Sequence, residues 1–258
     1  MRVINSKLVR QAGRRCWLAA SIFVVCIFTA AADPVTVTMQ LVGPPPGPYL
    51  AGIYTSPYTA TINGVATPVI CDDFYTDVSL STPPWTASVT TIADVQKETA
   101  VSTDVKFGYS DTTTQIQGYS ELGYLSTELM AYNPNSEAAK DLTYAIWAVW
   151  DQDPINGPMA WLENHAPSSD YNAAMNYLDT AQSVVQTAML NNTLTYYSNI
   201  YIYTPYNAQD PLDHGASQEY LYVDAPPQVP ESGTFGVLAA GMLALAWTRR
   251  RSRVEVSA

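Results

Sequence analysis

Apolar positions along residues 33–224 change period twice. Val35, Val37, Met39 and Leu41 alternate with Thr36, Thr38 and Gln40, the period of two of a half-buried strand. Pro44-Pro45-Pro46-Gly47-Pro48 breaks that run into a loop. Alternating runs at 58–62 and 65–71 flank Asn63-Gly64, whose two residues accept positive φ and so predict a tight hairpin. Pro68 has no N–H for a ladder and marks the return strand as an edge or a bulge. A further strand is predicted at 86–92.

Beyond residue 118 the period lengthens. Tyr119, Leu122, Leu125 and Leu129 fall three or four apart, as one face of a helix requires. Ala138, Leu142, Ala145 and Val149 repeat the spacing beside a row of Ala139, Ile146 and Trp150, after a turn at Tyr132-Asn133-Pro134-Asn135. A third helix is predicted at 170–190, with Tyr171, Ala174, Leu178, Ala181 and Val185 inward and Asn191-Asn192 ending it. Strands return at 194–203 and 220–223. Tyr196, Tyr197, Tyr201 and Tyr203 are expected to give the first of these a flat aromatic face for glycan or protein contact. The order predicts an α+β fold, an antiparallel β-sandwich or barrel with about three inserted helices.

Charge separates this body from its ends. Of 12 basic residues, Arg2, Lys7, Arg10, Arg14 and Arg15 open the chain and Arg249, Arg250, Arg251 and Arg253 close it. Lys97, Lys106 and Lys140 remain against 21 carboxylates between 33 and 229 (23 less Glu231 and Glu255), a balance of −18. Such a surface repels phosphate backbones, so nucleic acid is excluded as a partner.

At the N-terminus, the arginines precede an uncharged run from Cys16 to Phe28 and then Thr29-Ala30-Ala31-Ala32. That is the layout of a secretory signal peptide at 1–32, cleaved after Ala32, and it implies the secretion machinery as a partner. The exported α+β domain is then 33–224. A Pro-rich linker follows at 225–232, an uncharged apolar helix at 233–248 that is expected to span the membrane, and a basic tail at 249–258 held in the cytoplasm.

Val229-Pro230-Glu231-Ser232, the apolar helix and Arg249-Arg250-Arg251 together resemble the tripartite PEP-CTERM sorting signal of Gram-negative bacteria, with Ser232 in place of its second proline. The resemblance implies an exosortase-type enzyme that cuts near Pro230-Glu231. It also implies release of the body from the inner membrane to the surface or the exopolysaccharide matrix.

Cys16 and Cys26 lie in the predicted signal peptide, which leaves Cys71 as the one cysteine of the body. It sits in Ile70-Cys71-Asp72-Asp73-Phe74, where neighbouring carboxylates should raise the thiol's pKa. This cysteine, followed later by Tyr144-Ala145-Ile146-Trp147, resembles the thioester domains of bacterial surface adhesins over roughly residues 49–150. The resemblance implies a glutamine in a Thr-Gln-x-Ala-hydrophobic-Trp helix whose carboxamide condenses with the cysteine. Leu142 and Thr143 stand at the Thr-Gln positions. Thr143 has no carboxamide, so no thioester is expected.

Other chemistry is thinly represented. His165 and His214 are the only histidines, and Gly118-Tyr119-Ser120-Glu121-Leu122 lacks the second glycine of a hydrolase elbow. His165 is expected at a helix end, near the carbonyls. No cofactor is expected; calcium is the one ion that Asp72, Asp73, Asp77, Asp151 and Asp153 would suit. The sequence therefore describes a non-enzymatic exported surface or extracellular-matrix protein, associated with exopolysaccharide, other surface proteins or the cell envelope. A thioester-type covalent adhesin and an unfamiliar secreted hydrolase are the alternatives.

Overall fold

Six strands of the computed structural model hydrogen-bond into a ring. In chain order the elements are β1 (Thr36–Leu41), β2 (Tyr49–Leu50), β3 (Ile53–Tyr54), β4 (Tyr58–Ile62), β5 (Val65–Cys71), β6 (Trp85–Thr91), α1 (Ile92–Gln96), α2 (Thr112–Ala131), α3 (Glu137–Ala148), α4 (Pro158–His165), α5 (Ser168–Leu190), β7 (Ile200–Pro205) and β8 (Tyr220–Val223). The barrel closes in the order β1-β4-β5-β8-β7-β6, antiparallel throughout, and β2 pairs with β3 alone. The structure describes residues 34–42, 49–76, 80–100, 105–107, 111–207 and 218–224, all within a unit that begins at Pro34. The expected signal peptide at 1–32, the linker with Val229, Pro230 and Glu231, the apolar helix at 233–248 and the tail with Arg249, Arg250 and Arg251 lie outside the described residues. So do the loop at 44–48, Asp77 and His214. Among the described residues no helix is long and apolar enough to cross a membrane.

Alternation along the strands sorts side chains between two cores. Met39, Leu41, Ala60, Val69, Cys71, Ala87, Tyr203 and Tyr220 turn into the barrel. Ile70, Ile200, Ile202, Leu221 and Val223 turn outward and meet Leu122, Leu125, Leu142 and Ile146 of α2 and α3. One wall of the barrel is therefore buried on both faces, which is why 220–223 reads as a continuous apolar run rather than an alternating one.

Local chemistry accounts for most boundaries. Asn63 and Gly64 hold φ of 50° and 82°, the left-handed pair that the β4–β5 hairpin requires. Pro68 pairs with Thr59 on one side, while β8 reaches only Ile70 and Cys71 on the other, so its half of β5 is an edge inside a closed ring. Asp111 caps α2 by accepting from Thr113 N, and Ser136 caps α3 by accepting from Ala139 N. Asn192, at φ 54°, lies just past the end of α5.

Three expectations need correction. Among the described residues there are five helices where the sequence predicts about three. Thr91 and Asp94 form a capping box that turns the end of β6 directly into α1, a helix too short to show a period, and α4 starts at Pro158. The strand expected at 194–203 begins only at Ile200. Upstream of it, Gln96 accepts from Tyr197 N at 3.1 Å and donates to Thr195 O at 2.8 Å, so a side chain takes the place of a ladder. The flat aromatic face is consequently absent. Tyr196 lies under Lys97, Tyr197 packs over Gly123, Tyr201 stacks on Tyr222, and Tyr203 is buried.

Two substitutions test this packing. A Cβ on Gly118 would lie 2.3 Å from the Trp150 ring, so Gly118→Ala is expected to destabilise by about 1–3 kcal/mol in denaturant melts. Asp141, on α3, is 5% exposed and its Oδ1 has no partner. Burial, then Asp170 and Glu137, push its pKa to about 7, against the pull of Lys140. A carboxyl raised in the folded state loses stability as pH climbs from about 4 to 7. Asp141→Asn is expected to remove that slope and to stabilise the fold at pH 8 by on the order of 2 kcal/mol, read from thermal melts across pH.

Candidate functional site

The candidate site lies where β5 ends against β8. Ile70 pairs with Leu221 and Cys71 with Tyr220. Cys71 is completely buried, a free thiol facing into the barrel. Its N–H donates to Ser56 Oγ at 3.0 Å and its Sγ–H donates to the Asp73 carbonyl at 3.1 Å.

A carboxamide meets the same oxygen. Gln218 stands two residues before Tyr220, on the same side of the chain as that cross-strand partner of Cys71. Its Nε2 donates to Asp73 O at 3.3 Å, and its Oε1 accepts from Tyr220 OH at 2.8 Å. Thiol and amide thus share one carbonyl, and the amide is oriented at both ends. Beside them is a cavity of about 150 Å³ whose walls include Leu41, Tyr54, Tyr58, Phe74, Trp147 and Gln218.

Behind β5 and β8, on the helical side, lies a second polar layer. Glu219 is completely buried and accepts from Tyr119 OH at 2.7 Å, from Lys106 N at 2.7 Å and from Thr204 Oγ1. Asp72, also buried, has neither side-chain oxygen in a hydrogen bond, and burial, then the Glu219 charge, push its pKa well above the carboxylate range. Asp73 accepts from Tyr75 N and Thr76 N at 3.1 and 3.2 Å and pairs with the Lys106 ammonium, which also donates to Thr76 Oγ1 at 2.8 Å. Burial, then Asp72 and Asp73, raise the Cys71 pKa; the Asp73 carbonyl contact and the Trp147 indole oppose them. The direction expected from the sequence holds, with desolvation as the larger cause.

The remaining candidates are not brought to this place. Thr143 is buried in α3 and donates to Ala139 O at 3.0 Å within its own helix; it is Trp147, one turn on, that acts on the thiol. The expectation that no thioester forms considered α3 alone, whereas Gln218 brings a carboxamide to the Asp73 carbonyl that the Cys71 thiol also meets. Ser120 donates to Ile116 O and accepts from Gln96, both inside the fold. His165 ends α4, with Nδ1 2.8 Å from Trp161 O and its ring stacked 4.0 Å from the Trp161 ring. Asp151 and Asp153 accept from backbone N–H groups of their own turn. Among the described residues no group of three or more His, Cys, Asp or Glu is placed to hold a metal ion.

Gln218 escaped the sequence reading because the strand at 220–223 could not be assigned a neighbour. With β8 beside β5, alternation alone puts residue 218 on the face of Cys71.

No protein-family model matches the chain, and no curated protein matches it. Among solved structures it is similar to the N-terminal thioester domain of fibronectin-binding protein SfbI from Streptococcus pyogenes. Identity is 12% and the TM-score 0.43, with 76% of this chain and 95% of that one covered. A likeness of that size leaves the chemistry to be judged from the residues.

Tyr119→Phe tests whether the rear layer is held by its phenol. The variant removes a donor to a buried carboxylate and is expected to cost about 1–3 kcal/mol in chemical denaturation. A loss below about 0.5 kcal/mol would show that Glu219 does not need it.

Proposed function

We propose that this chain is an exported, non-enzymatic surface protein that attaches to its partner covalently, through an internal thioester between Cys71 and Gln218. The carrying observation is the Asp73 carbonyl, which accepts from the thiol and from the carboxamide together. The bond forms when Sγ attacks Cδ of Gln218: an S–C bond is made, the C–N bond breaks, and ammonia departs with the thiol's proton. Tyr220 OH, on Oε1, is placed to stabilise the negative charge that gathers there in the tetrahedral intermediate. A nucleophile on the partner, entering by the adjoining cavity, then takes the acyl group and returns the thiol. Each chain reacts once, which makes this attachment rather than catalysis.

The two ends complete the reading. Secretion by the signal peptide, passage through the membrane on the helix at 233–248, and exosortase processing near Pro230-Glu231 would deliver the acidic body to the cell surface or the exopolysaccharide matrix. There it would meet glycans or other surface proteins.

Intact mass tests the proposal. The isolated chain is expected about 17 Da below the mass of its sequence, and methylamine is expected to add about 31 Da to that form. Cys71→Ser and Gln218→Ala should each abolish both changes. A full-mass chain with a titratable Cys71 thiol would leave a non-covalent matrix protein.

A further inference from the structure

One polar row of α2 is covered by its neighbours. Gln117 and Gly118 stand four and three residues before Glu121, so the three share a face of the helix. They line a cavity of about 340 Å³ whose other walls are Val149, Trp150 and Gln152 at the end of α3 and Gln182 of α5. Small-molecule sites run from about 300 to 1,000 Å³. A Cβ on residue 118 would meet the Trp150 ring at 2.3 Å, so only glycine lets the indole form that wall. Phe107 stacks on the indole at 4.9 Å and Tyr119 meets it edge-on at 4.9 Å, which fixes the wall in place. The cavity shares no lining residue with the one beside Cys71.

Glu121 is out of place in such a spot. It is 3% exposed, and a buried carboxylate ordinarily has a charged partner. Among the described residues no Lys, Arg or His lines the cavity. One neutral donor is supplied: Gln117 Nε2 reaches Oε1 at 2.8 Å. Oε2 accepts from no described residue, yet it is not sealed off as the oxygens of Asp72 are, and it opens to the cavity. Gln152 and Gln182 likewise make no side-chain hydrogen bond to another described residue.

These groups define the ligand that would complete them. Each amide offers two N–H donors and one carbonyl acceptor, while the carboxylate only accepts. An ammonium carries donors alone and would leave the amide N–H groups unmatched. Neighbouring hydroxyls of a sugar ring both donate and accept, and the C–H face of the ring suits Val149 and the accessible part of Trp150. We propose that the cavity between α2, the end of α3 and α5 is a subsite for a neutral hexopyranose unit of a glycan. Glu121 accepts the sugar's hydroxyls, and the amides of Gln152 and Gln182 donate to its oxygens. The subsite rests on neither the thioester nor the cavity beside Cys71.

The test titrates D-glucose, D-galactose and D-mannose into the full chain, followed by calorimetry and by saturation transfer to the sugar protons. At least one is expected to bind at a single site with a millimolar Kd. Glu121→Gln keeps the shape and removes the charged acceptor, and should weaken that binding about tenfold or more. Its melting temperature should not fall, because a buried charge has been removed. Gln152→Ala changes an exposed position and should weaken binding about threefold, which keeps the test independent of folding. Trp161→Ala removes the exposed indole of α4, the rival platform for a sugar, and should leave binding unchanged. The subsite is overturned if none of the three sugars binds at about 100 mM, or if Glu121→Gln binds as wild type does. Loss of binding in Trp161→Ala would overturn it too. Tetramethylammonium bound in place of the sugars and lost in Glu121→Gln would make this a cation site and overturn the sugar assignment. A full-mass chain, which removes the thioester, leaves each of these outcomes unchanged.

Discussion

The pairing of Cys71 with Tyr220 across β5 and β8 is the constraint on which the site depends. It fixes which residues face the barrel and which face the helices. Shifting β8 by one residue would turn Gln218 out of the barrel and Glu219 into it, exchanging a neutral amide for a carboxylate beside a buried thiol. The buried contacts of Glu219 oppose that slip: Tyr119, Thr204 and Lys106 each bond it from a different element. Register here is held by polar bonds as much as by the apolar stripe of Leu221 and Val223.

Placing so many carboxyls inside one small domain has an electrostatic cost, and the structure meets it in three ways. Burial raises the pKa of Asp72 well above the carboxylate range, which favours its neutral form. Glu219 is surrounded by donors. Asp73 has the Lys106 ammonium, one of only three lysines among 21 carboxylates in the body. A buried carboxyl is a burden on stability unless its partners are complete; Glu219 and Asp73 have theirs, while neither oxygen of Asp72 is hydrogen-bonded. Asp141 shares this with Asp72. It is buried against Asp170 and Glu137 with an oxygen unpartnered, and nothing in its surroundings gives that arrangement a use.

Features set by short-range chemistry were legible in the sequence. Asn63-Gly64 specifies its hairpin by φ alone. The long helices α2, α3 and α5 announce themselves by period, and Pro68 reports that half its strand lacks a neighbour. What the sequence hides is pairing at a distance. Nothing local says that residues 70 and 71 lie beside 220 and 221, and without that register Gln218 is one polar residue among many. The same gap explains the misplaced aromatic strand, because only the folded chain brings Gln96 to the backbone of Thr195 and Tyr197. The small elements β2, β3, α1 and α4 are too short to leave a period. Of the chemistry, the sequence singled out the buried thiol and the carboxylates beside it, and searched only α3 for a carboxamide near that thiol.

The seam between β5 and β8 is the shortest in the barrel, two residue pairs where the other ladders have three to five. A sulfur-to-acyl link across it would staple the ring at its weakest joint while the protein waits for a target. Capture would release the staple and leave the cargo held through the β8 end of the chain. Tension on an anchored cell would then run from β8 into β7 through a four-pair ladder, and from there into β6 through one of five pairs. The force would bypass the seam that the reaction had just opened.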